Sequence, residues 1–267
     1  MTKGCLDAVS VVGGPAIHYN YGDAAAQFSQ VTGGLAALAF AAVVFSLQGA
    51  EPRTPRRGDR GVLLLPVIFV VSMLAAYQYG VASADLVCER RSVISVLAAL
   101  NFAFAVMAIS AWMSAVWHTS DDHPSEVQRM SEGLYWVVVL AAASGVSLAS
   151  SDLLAEFGLT PTIPSQEYVL GLGAFLLSAS ISAAARVDRL QTFLYDHTKW
   201  RGRVAAVWIS LSVSFIAVWI FFQIGRASSE ELQALQSLVA WAPAGCAFAV
   251  GLIGGLLGTI SGRSPRN

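Results

Sequence analysis

No lysine, arginine, aspartate or glutamate lies deep inside any of the long apolar stretches of this chain. Proton-coupled carriers and pumps usually titrate ionisable groups at membrane depth, so that lack argues against proton coupling. Charged residues are scarce throughout, at 12% against 55% hydrophobic, whereas soluble domains average about 25% charged. Lysine occurs only at Lys3 and Lys199, and no basic tract points to nucleic acid. The three cysteines, Cys5, Cys88 and Cys246, form no CxxC pair of the kind used for zinc or redox chemistry. The four histidines, His18, His118, His123 and His197, all fall outside the apolar stretches, which excludes a haem held by histidines within spans. Near the start, Gly13, Gly14 and Pro15 break a short apolar patch, so no cleavable signal peptide, which needs a continuous apolar core, is expected.

What is present is a series of uncharged runs, each near the roughly 20 residues that cross a hydrocarbon layer of about 30 Å. Seven spans are expected, at about 28–48, 61–83, 93–117, 133–151, 167–185, 204–225 and 236–261. The predicted fold is an all-α polytopic membrane bundle of about seven transmembrane helices. It divides into an extracytoplasmic segment over 1–27, the transmembrane domain over 28–261 and a cytoplasmic tail over 262–267.

The segment from Arg186 to Arg203 carries five of the sixteen basic residues between two apolar runs. Lys and Arg near span ends resist translocation and remain cytoplasmic. Seven spans with the N-terminus outside place twelve basic residues inside and only Lys3, Arg90, Arg91 and Arg226 outside. The opposite orientation inverts that ratio, so an outer N-terminus and a cytoplasmic C-terminus are expected, in the plasma (inner) membrane. Aromatic residues suited to the interface mark the borders: Trp117, Tyr135, Trp136 and Trp200 inside, and Tyr77, Tyr79, Tyr168 and Trp241 outside.

The polar groups at depth are neutral. Asn101, Gln223, Ser144 and Ser147 are the candidate lining of a polar path, although such groups more often bond neighbouring helices. Serines recur at helical spacing, at 144, 147 and 151, at 178 and 182, and at 210 and 214. The last span ends in a glycine ladder of Gly251, Gly254, Gly255, Gly258 and Gly262, a candidate face for close helix packing against this chain or a second copy. Pro243, early in that span, is expected to kink it. Outside the membrane, Asp85, Glu89, Asp152 and Glu156 form a candidate acidic rim, read chiefly as solvated surface. His118, Asp121, Asp122 and His123 could ligate zinc, but Pro124 and Glu126 beside them read as the first turn of a helix. Cys5 and Cys88 share the outer side, where a disulfide is permitted.

Seven spans with an outer N-terminus resemble the arrangement of the retinal proteins. Those carry a Schiff-base lysine in the last span, and neither lysine here lies in a span, so no retinal is expected. No cofactor or metal is expected. The function read from these residues is that of a non-enzymatic membrane component acting by helix packing and partner binding. Its partners are the lipid bilayer and either a second copy or another membrane protein. The alternative is a transporter or channel for a neutral or weakly charged solute. A membrane enzyme would have only the acid pairs Asp85/Glu89 and Asp152/Glu156 to work with.

The basic-residue count generates a direct test. A reporter fused after Asn267 should be active only in its cytoplasmic form; activity of a periplasmic reporter there contradicts the seven-span, outer-N-terminus topology.

Overall fold

A computed structural model describes residues 8–9, 17–18, 21–48, 64–85, 87–119, 125–159, 166–184, 199–224 and 226–261. The helices are α1 (Tyr21–Gln48), α2 (Leu64–Ala84), α3 (Cys88–Thr119), α4 (Ser125–Glu156), α5 (Gln166–Ala184), α6 (Lys199–Ile224), α7 (Ser229–Ala234), α8 (Gln236–Val239) and α9 (Ala242–Ser261). Ahead of α1, Ala8–Val9 (β1) pairs antiparallel with Ile17–His18 (β2). Six helices, α1, α2, α3, α4, α6 and α9, are long and apolar enough to cross a membrane, and α5 adds a shorter apolar stretch, Val169–Ala184. The chain is a helical, multi-pass membrane protein.

Several helices outrun the apolar runs that mark them. The first begins at Tyr21 rather than near 28, the third at Cys88 rather than 93, and the fourth spans Ser125–Glu156 rather than 133–151. Hydropathy marks the interval in contact with lipid, whereas backbone hydrogen bonding continues through polar flanking turns. The last span differs the other way. The expected 236–261 segment is broken at Ala240–Trp241, and α9 starts only at Ala242. Pro243 therefore opens a helix instead of kinking one, because a missing N–H costs nothing in the first turn.

Local signals set the other ends. Pro66 sits in the first turn of α2. At the end of α4, Gly158 takes φ 67°. Its N–H donates to the Ala155 carbonyl at 3.0 Å, and the Leu159 N–H donates to the Leu154 carbonyl at 2.9 Å, the pattern of a Schellman stop that a glycine accommodates without steric cost. Ser228 and Glu231 form a capping box before α7. The Ser228 N–H donates to Glu231 Oε2 at 2.7 Å, and the Glu231 N–H donates to Ser228 Oγ at 3.3 Å. These hydrogen bonds hold the exposed Glu231 carboxyl below the usual carboxylate range.

α3 is the most buried span, and α1 and α6 are the least. α1 packs on α2, α2 on α3, α3 on α4, and α4 on α5, while α9 seats against α5, α3 and α4. Phe104, Met107, Val139, Tyr135, Ile253 and Leu257 fill the centre. Tyr135 and Tyr79, expected as interfacial anchors, are buried at 1% and 7% exposure, whereas Tyr77 and Trp241 are exposed at 56% and 74%. The Tyr135 hydroxyl donates to the Gly254 carbonyl of α9, which gives a buried phenol the partner it requires.

The glycine ladder meets another helix of the same chain, α5. Ser178 Oγ donates to the Gly251 carbonyl at 2.9 Å, and Ser182 Oγ to the Gly255 carbonyl at 3.1 Å. Contacts advance together along both helices, Leu177 against Gly251, Ile181 against Gly255 and Ser182 against Gly258, so α5 and α9 run parallel. Gly254 faces Ser178, Val139 and Met107. Gly262 lies outside the described residues.

These contacts predict a site-dependent response to bulk. A Cβ on Gly255 would stand 2.6 Å from the Ile181 Cβ, whereas one on Gly173 meets nothing within 4 Å. Overpacking of this kind costs about 1–3 kcal/mol. Gly255→Leu should lower the thermal midpoint of the detergent-solubilised protein with helicity kept, and Gly173→Leu should not. Equal midpoints for both variants would contradict the α5–α9 seating.

Candidate functional site

Several polar groups buried in the bundle tie one helix to another, while others bond their own helix or have no partner. Asn101 Nδ2 on α3 donates to Gln78 Oε1 on α2 at 2.8 Å, with both residues almost fully buried. The remaining Gln78 amide donor group and the Asn101 carbonyl have no partner. Ser29 Oγ on α1 donates to the Ala76 carbonyl of α2 at 2.8 Å. Gln223 stands exposed near the end of α6. Ser144 is half-buried and donates to its own helix at Leu140, and Ser147 is buried with its hydroxyl unpartnered. The candidate lining residues thus belong to three helices, α3, α4 and α6.

The acidic rim also divides. Asp85 and Arg90 form a two-point ion pair, with Nε to Oδ2 at 2.5 Å and Nη2 to Oδ1 at 2.9 Å. The Val87 N–H donates to Asp85 Oδ1 at 3.0 Å, and Arg91 Nε donates to the Asp85 backbone carbonyl at 3.1 Å. Burial acts to raise the Asp85 pKa, but the hydrogen bonds from Arg90 and Val87 and the charges of Arg90 and Arg91 outweigh it and hold the carboxyl below the usual range. Glu89 and Glu156 are half-buried near their helix ends. Residues Asp121, Asp122 and His123 lie outside the described residues, as does the side chain of His118. Cys88 is disulfide-bonded, and Cys246 is a free thiol. Cys5 lies outside the described residues.

Asp152 has a different setting. It stands exposed at the rim of a groove of about 660 Å³ that runs between α1, α3 and α4. α1 packs on α2, and α4 on α3 and α5; α1 and α4 do not pack closely on each other, so a cleft remains over one face of α3. Its walls are helical stripes of small and apolar residues: Ala99, Ala103 and Val106 on α3, and Val138, Ala142, Gly145 and Ala149 on α4. An aromatic group closes the α1–α2 side, where Phe28 stacks on Tyr79 at 5.3 Å between centroids and meets Phe102 edge-on at 5.8 Å. Besides Tyr79, two polar residues line this space, Asp152 and Ser95. Ser95 is 1% exposed, and its hydroxyl has no hydrogen-bond partner. No cation among the described residues pairs with Asp152.

The fourteen steps from Val138 to Asp152 span about 21 Å at 1.5 Å rise per residue, close to one leaflet of a hydrocarbon layer about 30 Å thick with part of its interface. The groove is therefore long, apolar and polar at one end. Sequence reading singled out Asp152 but not the groove, because an alanine stripe that packs and one left open look the same. Compared with protein families, with curated proteins and with solved structures, the chain matches none.

The Asp85 geometry sets a pH-dependent expectation. A lowered folded pKa means that the carboxylate contributes stability at neutral pH and loses it as pH falls through that folded value. Asp85→Asn should therefore cost about 1–3 kcal/mol at neutral pH, the range for a charge-assisted bond, and the deficit should shrink progressively in acid. Thermal melts of both proteins against pH check this; a deficit independent of pH would contradict it.

Proposed function

We propose that the protein is a non-enzymatic, seven-crossing component of the plasma (inner) membrane that acts by helix packing and by binding a partner within the bilayer. The observation that carries this reading is the use made of buried polar groups. Ser178, Ser182, Tyr135, Asn101 and Ser29 each bond a neighbouring helix, leaving them committed to architecture rather than to a catalytic constellation.

The parallel run of α5 and α9 supports seven crossings. With α6 crossing once between them, an α5 that crosses would point the same way as α9, as it does. Its 19 residues span about 28 Å at helical rise, which suffices for a layer of about 30 Å. The disulfide at Cys88 supports placing the α2–α3 joint outside, since such bonds persist in oxidising compartments. The positive-inside distribution gives the same orientation.

A carrier for a neutral solute is the second reading, favoured by the unpaired amide groups of Gln78 and Asn101. Proteoliposomes separate the two. Uptake of small neutral solutes should equal that of empty vesicles. Uptake above that level, abolished by Asn101→Leu, would overturn the binding role in favour of transport.

A further inference from the structure

We infer that the groove between α1, α3 and α4 holds one hydrocarbon chain of a phospholipid whose headgroup bears a primary ammonium. The inference rests on the binding role proposed above and names its ligand class and place. Three observations converge on it. The cleft, of about 660 Å³, is apolar along its length, with small residues such as Ala103, Ala142 and Gly145 in its lining; volumes of about 300–1,000 Å³ are typical of ligand sites. It runs along the helix axes for about one leaflet, at 1.5 Å per residue, which is the reach of a single lipid tail descending from the outer surface. At the end where a headgroup must lie, Asp152 is exposed without a cation among the described residues.

The charge around that end selects the headgroup. The arginines of the adjacent helix start are already engaged, Arg90 by the Asp85 carboxylate and Arg91 by the Asp85 carbonyl. A purely anionic headgroup would meet the Asp152 carboxylate unopposed. An ammonium group would pair with it and donate charge-assisted hydrogen bonds. Ser95 supplies the second polar contact. The residue lines the same space, is 1% exposed and has a hydroxyl with no partner, and a rotation of that hydroxyl toward the groove would let it donate to an ester or phosphate oxygen below the ammonium. A buried hydroxyl left unpaired is costly, and a bound lipid removes that cost.

Gly145 offers a way to fill the groove without disturbing the bundle. It lines the cleft, and a Cβ built on it meets nothing within 4 Å. Three proteins are compared, the parent, Gly145→Trp and Asp152→Asn, each reconstituted in vesicles of equal parts phosphatidylethanolamine and phosphatidylglycerol. Retained lipid is read by native mass spectrometry after detergent release, with thermal midpoints measured alongside. The parent should keep one phosphatidylethanolamine in preference to phosphatidylglycerol. Asp152→Asn should reduce that preference about tenfold, equivalent to about 1.4 kcal/mol. Gly145→Trp should retain neither lipid at an unchanged midpoint. Equal retention of the two lipids by the parent would overturn the ammonium assignment. Retention by Gly145→Trp equal to the parent's would overturn the groove as the site; should that variant melt early, the parent's lipid preference and its loss in Asp152→Asn still decide. Solute flux through the bundle would count against the binding role and leave lipid retention unchanged, so the two failures are distinguishable.

Discussion

Two serine hydroxyls on α5 and two glycine carbonyls on α9 fix how the later half of the chain is assembled. Between helices in lipid there is little hydrophobic drive, so association depends on close packing and on hydrogen bonds between backbones that nearly touch. Gly251 and Gly255 permit that approach, and Ser178 and Ser182 use it. The same ladder presents Gly254 to Tyr135, whose hydroxyl reaches the Gly254 carbonyl from α4. α9 is thereby held on two sides, and the centre around Met107, Val139 and Leu257 closes over it. The parallel direction of α5 and α9 is a consequence of this contact, and the proposed count of crossings depends on it.

The earlier half of the chain is built differently. α1 reaches the bundle mainly through α2, by way of Phe28, Ser29 and Phe40. Much of α1 is left exposed, and so is the cleft between it and α4. An open apolar cleft in a membrane protein is filled by lipid, so the question it raises is one of selectivity. Asp152, Ser95 and the Tyr79 hydroxyl are the polar groups among the described residues that line it, and Asp152 and Ser95 provide the chemistry by which one headgroup could be preferred.

Much of this architecture was legible in the sequence. The apolar runs marked the six long apolar helices and the shorter α5, and the glycine ladder and the Ser178/Ser182 spacing pointed to the faces that meet. Partners were not legible, because spacing along one helix does not say which other helix it faces. Asn101 could be read as a packing group, but its bond to Gln78 required the approach of α2 and α3. Tyr135 looked like an interfacial anchor because it borders a polar loop, and only the path of α9 explains its burial. The break before α9 left no polar trace, since Leu238, Val239, Ala240 and Trp241 are all apolar; Pro243 was the available signal, and its first-turn meaning depended on where the helix starts.

The claim on which the rest turns is the parallel seating of α5 on α9, and paired cysteines test it most directly. A Cβ on Gly258 would lie 3.6 Å from the Ser182 Cβ, and one on Gly251 3.1 Å from the Leu177 Cβ; disulfides need Cβ atoms about 3.5–4.5 Å apart, so the first pair fits as it stands and the second fits once the helices part by a few tenths of an ångström. In a Cys246→Ser background, oxidation in native membranes should cross-link Ser182→Cys with Gly258→Cys, and Leu177→Cys with Gly251→Cys. The exchanged pairs, Ser182→Cys with Gly251→Cys and Leu177→Cys with Gly258→Cys, should remain reduced. Cross-linking of the exchanged pairs in place of the matched ones would mean that the helices run antiparallel, and would contradict both the seating and the seven crossings built on it.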